Sequence, residues 1–192
     1  GVEYKVGIGE AAFYGPKLDI QCKNVHGKED TLITIQIDQM LSKKFGMEYV
    51  DRDGQKKNPY IIHRTSIGCY QRTLALIIEK FAGALPMWLA PVQIKVLPIG
   101  LDQHPYAEEV TAKLRAKGLR VELDEREEKI GYKIREAQLQ KVPYMLVLGA
   151  KEAAEGTVAV RDRKNGDAGC VPFEEFLARA VKETEEKYIE QN

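Results

Sequence analysis

The chain has 192 residues, with 29 Lys and Arg against 29 Asp and Glu, so its formal charge is zero. A hydrophobic fraction of 44% and a charged fraction of 30% suit a packed globular protein. They exclude a disordered chain, which would show few aliphatics and a large net charge. Residues 18–23 and 31–38 (TLITIQID) are rich in branched side chains and read as sheet strands, with VHGKED between them as a hairpin loop. DRDGQKKNP, residues 51–59, carries an Asp-Gly turn expected to join strands at 48–50 and 60–63. Over residues 71–82, Leu74, Ile77, Ile78 and Phe81 form the i, i+3, i+4, i+7 stripe of a helix packed on a sheet. LPMWLAP at 85–91 is the clearest seam, because Pro86 and Pro91 disfavour a continuous helix or central strand.

Downstream the pattern alternates. VQIKVLPI is a strand, and 106–117 is a helix ending at Gly118, a residue suited to a C-cap. LRVELD is a strand, 129–140 a basic helix, and YMLVLG a buried strand. TVAVRDR runs into a hairpin turn at KNGDAG, and Pro172 opens a last helix with Phe173, Phe176, Leu177, Ala180 and Val181 on one face. This order implies a small α/β sandwich with right-handed crossovers. The expected domains are residues 1–90, strand-rich with one helix, and residues 91–192, which form a complete α/β unit. Neither half is basic: the first carries 12 basic and 10 acidic side chains, the second 17 and 19. The five cations Arg126, Lys129, Lys133, Arg135 and Lys141 read most simply as a solvated helix face, with Lys133 outermost.

Some classes drop out early. The longest apolar run, GALPMWLAPV, falls short of the roughly 18 residues of a membrane span and holds both prolines. The amino terminus lacks the basic-then-apolar layout of a signal peptide. Three widely spaced cysteines, Cys22, Cys69 and Cys170, argue against a disulfide framework and for a reducing compartment. With no net charge, any RNA contact must come from a local patch. The chain opens on Gly1 rather than Met, which leads to the expectation of a segment from something longer.

The residues that could carry chemistry start with AFYGPKLDI, a stiff turn that fixes Tyr14 and Lys17 beside a strand. A held hydroxyl and ammonium can grip an amino group, a carboxylate or a phosphate; a plain turn before a strand fits equally well. Gln36 and Asp38 alternate with Ile35 and Ile37 and so share one strand face. Arg72, at the start of an apolar helix, can stack on a purine and reach a phosphate, although a surface arginine is the plainer reading. His63 by itself reads as a structural histidine, since no His or Cys spacing supports a zinc site.

Taken together, AFYGPKLDI, TIQID, IIHR with GCYQR, FAGALPMWLAPVQ, EKIGYKIRE, VPYMLV and VAVR resemble the threonyl-tRNA synthetase family in order and spacing, over essentially the whole chain. The resemblance implies the carboxyl-terminal piece of a class II antiparallel-sheet catalytic domain, then an anticodon-binding domain with a mixed five-stranded sheet. It assigns Tyr14 and Gln36 to the threonine and adenylate pocket, with Lys17 as basic neighbour. Arg72 becomes the motif 3 arginine that stacks on adenine and reaches a phosphate. His63 becomes the third protein ligand of a catalytic zinc, and Lys129, Glu152 and Arg161 become readers of anticodon bases. The implied partners are tRNA(Thr), threonine, and ATP with magnesium, in a cytoplasmic homodimer formed through the catalytic domain.

The departures have consequences. Cys69 and Gln71 replace the Ser and Glu of motif 3, and residues 29–33 replace the aromatic-Gln-Cys-Gly stretch. Glu127 replaces an anticodon-contacting Asn, and a carboxylate there repels RNA phosphate. Nothing resembles motif 1, motif 2 or the other two zinc ligands, so this chain alone is expected to be inactive. A truncated tRNA-binding relative without aminoacylation is the alternative. A prolyl- or glycyl-type relative is weaker, because AFYGPK with His63 argues against it.

Overall fold

Apolar residues at alternate positions, Leu18 and Ile20 in one segment and Ile33, Ile35 and Ile37 in the next, draw strands together. In the computed structural model, which describes residues 3–189, β1 (Lys17–Lys23), β2 (Glu29–Asp38) and β5 (Ile61–Arg64) form an antiparallel sheet in the order β1-β2-β5. The register pairs Lys17 with Gln36 and Gln36 with His63, while Leu18 faces Ile35 and Ile37 faces Ile62. Directly opposed residues share a face. One face is therefore mainly polar (Lys17, Asp19, Thr34, Gln36, Asp38, His63, with Ile61 at its end), and the other carries Leu18, Ile20, Ile35, Ile37 and Ile62.

In the first unit the structure departs from two expectations. The Asp-Gly turn does make a hairpin, but β3 (Tyr49–Val50) pairs with β4 (Lys56–Lys57), and residues 61–64 join the main sheet instead. Lys57 lies 2.5 Å from Asp51 and 2.8 Å from Asp53, which closes the turn on itself. After a short helix α1 (Leu41–Lys44), helix α2 (Tyr70–Lys80) forms where the apolar stripe predicted it, yet none of its residues is buried; Leu74 is 54% exposed. Periodicity reports that a face is made to be covered. It does not report that the same stretch of chain supplies the cover.

The second unit is built from β6 (Ile94–Pro98), α3 (His104–Ala116), β7 (Val121–Leu123), α4 (Ile130–Leu139), β8 (Tyr144–Leu148), α5 (Ala150–Glu155), β9 (Thr157–Asp162), β10 (Gly166–Pro172) and α6 (Phe173–Glu185). The sheet order is β10-β9-β8-β6-β7, with β6, β7 and β8 parallel and the β8–β9 and β9–β10 pairs antiparallel. One face packs Ile94, Val96, Leu146, Leu148, Val158 and Val160 against α3 and α6, through Val110, Leu114, Phe176 and Ala180. On the other face α4 covers β6 and β8 through Leu97, Ala137 and Met145.

Contacts divide the chain at Gly1–Lys80 and Phe81–Asn192. The seam residues therefore belong to the second unit, where Met87 joins the core. Buried Gln93 donates to the Met87 carbonyl (3.1 Å) and accepts from the Arg120 N–H (2.7 Å), and Arg120 and Arg163 bond seam carbonyls at Ala90, Trp88 and Leu85.

The basic stretch is not a solvated face. Lys133 is 2% exposed, and its Nζ donates to the carbonyls of Pro98 and Asp124, both at 3.2 Å. It lies with Ile130, Ile134 and Ala137 on the inner stripe, where the helical period places it. Arg126 closes on Asp124 and Glu136, each at 2.6 Å, and Lys141 bonds the Ala82 carbonyl. Of the five cations, only Lys129 and Arg135 are exposed with neither an ion pair nor a side-chain hydrogen bond to any of the described residues. Lys133→Met is expected to destabilise the chain by roughly 2–3 kcal/mol, because two buried carbonyls lose a charged donor. Urea denaturation checks this, and a midpoint equal to the parent's would show that the ammonium's desolvation cancels its bonds.

Candidate functional site

The stretch before β1 is fastened to the end of β2. Ile37 N–H donates to the Pro16 carbonyl and Gln39 N–H to the Tyr14 carbonyl, both at 3.0 Å. Gly15 passes so close that a Cβ there would lie 1.9 Å from the Ile37 carbonyl oxygen, so no other residue fits without moving the backbone. That approach places the Tyr14 hydroxyl 2.8 Å from Gln36 Oε1, to which it donates. The Tyr14 ring meets His63 edge-on at 6.3 Å.

Asp38 is 1% exposed and accepts the N–H groups of Met40 (2.8 Å) and Leu41 (2.9 Å). Burial opposes its ionisation, but those two N–H groups and His63 outweigh it, and the carboxyl lies below its usual range. An ionised carboxylate only accepts, so in the 3.1 Å contact with Asp38 it is Nε2 of His63 that carries a proton, and the neutral ring then presents its lone pair at Nδ1. Lys17 is tied to Asp19 at 2.6 Å, and Thr34 donates to the same carboxylate at 2.8 Å. The Asp19 hydrogen bond raises the Lys17 pKa and so keeps its ammonium charged. Sequence reading passed over Asp19, although its position two residues after Lys17 on a strand places both on one face.

Arg72 stands apart. Gly68, with φ of +76°, lets the loop cross the Leu32 carbonyl, where a Cβ would come within 1.9 Å. Helix α2 then starts beside β2, and Arg72 Nη1 donates to the Thr31 carbonyl at 2.7 Å. Thr31 is five strand positions from Gln36, roughly 17 Å at the rise of an antiparallel strand. The structure thus joins Tyr14, Gln36, Asp38 and His63 and sets Arg72 at the other end of the strand. The N–H groups of Arg72 and Gln71, together with the Arg72 charge, lower the pKa of the Cys69 thiol.

In the second unit Lys129 is the exposed N-cap of α4, beyond the carboxyl end of β7. Glu152 Oε2 accepts the Gly149 N–H at 2.9 Å and caps α5, while Oε1 lies 3.9 Å from Cys170 Sγ, which also donates to Thr157 Oγ1 at 3.1 Å. Arg161 is paired in register with Met145, so it sits toward the amino ends of the parallel strands, on the α4 side of the sheet. There the β9–β10 part is open: Arg161 and Ala159 are half-buried, Asp167 and Cys170 exposed. Glu152 and Arg161 thus flank one face, whereas Lys129 lies at the opposite edge from Arg161. Asp167 carries no strand signal in the sequence, because KNGDAG at 164–169 has the composition of a turn although β10 begins at Gly166.

His63 offers one lone pair, but among the described residues no three His, Cys, Asp or Glu side chains cluster to hold an ion, so these residues do not close a zinc site. No helix of the described residues is long and apolar enough to cross a membrane.

Comparison with known proteins agrees with this two-part layout. Residues 3–81 match the family model described as "tRNA synthetase class II core domain (G, H, P, S and T)", and residues 93–183 match "Anticodon binding domain". Fold and match together define a segment of a class II aminoacyl-tRNA synthetase. A threonine–tRNA ligase of Clostridium perfringens is 62% identical over 182 residues, which is 95% of this chain and 28% of that protein. Its counterpart in Clostridium tetani is 50% identical over 190 residues, or 99% of this chain and 30% of that protein. The solved RNA binding domain of threonyl-tRNA synthetase from Cryptosporidium parvum Iowa II superposes with a TM-score of 0.78 at 34% identity, over 91% of this chain and 44% of that one. The chain belongs to the threonyl-tRNA synthetase family and spans less than a third of the length of the curated relatives it matches.

Proposed function

We propose that this chain contributes part of the threonine-activating site and the anticodon-reading surface of a threonine–tRNA ligase, acting on threonine, ATP with magnesium, and tRNA(Thr) in the cytoplasm, as a homodimer formed through the catalytic domain. The observation that carries the reading is the cross-strand row Lys17, Gln36, His63, joined by Tyr14 and Asp38 on one polar sheet face. In this reading Tyr14 and Gln36 orient the bound threonyl group through a hydrogen-bonded pair that is already formed. The charged Lys17 offsets phosphate charge, and Arg72 stacks on the adenine. His63, with its tautomer set by Asp38, supplies one zinc ligand at most. No chemical step is assigned to the metal.

Lys129, Glu152 and Arg161 are proposed to meet unstacked anticodon bases. One imidazole and one arginine do not make a complete adenylation centre. The purified 192-residue chain is therefore expected to show no threonine-dependent ATP–pyrophosphate exchange while still preferring a threonine anticodon stem-loop over a mismatched one. Exchange that Arg72→Ala abolishes would overturn the first expectation, and equal binding of both loops the second.

A further inference from the structure

We propose that Asp167 is the positioning residue of Arg161, directing its guanidinium toward base edges and away from phosphates; this rests on the anticodon-reading role above. Asp167 sits directly opposite Arg161 in the β9–β10 register, and its Oδ2 lies 3.3 Å from Nη1. Its own direction is fixed from behind. Between Asp167 and Cys170 the strand β10 advances three residues while β9 advances two, from Arg161 to Ala159, a β-bulge in which Gly169 has φ of +86°. The Gly169 N–H donates to Asp167 Oδ1 at 2.9 Å. The bulge therefore aims the carboxylate, and the carboxylate in turn sets the plane of the guanidinium.

Two further features make this more than a surface ion pair. Arg161 Nε is shut off from water and has no hydrogen-bond partner among the described residues, so the inner end of the group is committed to its place. Asp167 occupies one of the five guanidinium hydrogens, which leaves both on Nη2 and one on Nη1 for a partner that none of the described residues supplies. The Asp167 side chain is 67% exposed, and its charge repels an approaching phosphate while leaving neutral acceptors on a base edge unaffected. The pair thus gives up affinity for RNA in general and gains discrimination.

The test uses the full chain with two RNA probes, a threonine anticodon stem-loop and the same loop with one anticodon base changed. Asp167→Asn keeps an acceptor for the Gly169 N–H but turns the other oxygen into a donor that cannot hold Arg161. It is expected to leave the matched loop's affinity about unchanged at low salt while the mismatched loop binds about three- to fivefold more tightly, so that the matched-to-mismatched ratio falls by that factor, the span of an exposed ion pair. Asp167→Glu keeps the charge but displaces the carboxylate from the bulge, so it should lower the ratio without the gain in affinity. In an Arg161→Ala background Asp167→Asn should leave the ratio unchanged. A ratio untouched by Asp167→Asn, or lowered equally in both backgrounds, overturns the positioning role alone. A parent chain that binds both loops equally overturns the anticodon reading and this proposal with it.

Discussion

Arg161→Ala is expected to weaken binding of a threonine anticodon stem-loop by about 1–3 kcal/mol and to flatten the difference between matched and mismatched loops. The argument is one of geometry. Arg161 lies on the open end of a sheet face, with its guanidinium held by Asp167 and its Nε already desolvated, so little ordering cost remains when a base arrives. Lys129 differs: an unpaired ammonium at the N-cap of α4 is a point charge at the other edge of the sheet. Lys129→Ala should therefore weaken both loops evenly and lower the salt dependence of binding by about one counterion. Titrations of the two loops at several salt concentrations separate these effects. A loss at Arg161 that is equal for both loops would reduce it to a phosphate contact.

Residues 81–192 are expected to unfold cooperatively when expressed alone, whereas residues 1–80 alone should show no cooperative transition. Every buried apolar side chain among the described residues, from Met87 to Ala180, lies in the second unit. Fully burying one such side chain contributes about 1.5–3 kcal/mol, so the first unit lacks the term that offsets chain entropy. Its two buried side chains, Asp38 and Ser42, are polar. Leu18, Ile37 and Ile62 line a sheet face that is exposed in this chain, and such a face is ordinarily covered by another layer. Limited proteolysis should leave a resistant fragment beginning near Phe81, since Arg120, Lys141 and Arg163 bind the seam to the second unit. A melting transition for residues 1–80 alone, or first loss of the second unit to protease, would reverse the assignment.

What the sequence by itself determined here is the set of local facts. Alternating branched residues gave β1 and β2, the apolar period gave α2 and α6, and Gly118 ended α3; each depends only on neighbours within a few positions. The family motifs added Tyr14, Gln36 and His63 as candidates; the β2–β5 register sets Gln36 opposite His63, and the turn before β1 brings Tyr14 to Gln36. Long-range pairing was beyond reach. Residues 61–64 pair with β2 over four residues, whereas the Asp-Gly hairpin pairs over two, and no local pattern encodes that choice. Lys133 read as solvent-facing because charge is a property of composition, while its burial depends on two carbonyls, one of them 35 positions away in sequence, at Pro98. Asp167 acquires meaning only through a bulge that turns one carboxylate toward one arginine across two strands. Local propensity is set by a residue and its nearest neighbours, but the direction of a polar side chain is set by whichever partner the fold brings within about 3 Å, and that only the tertiary structure decided.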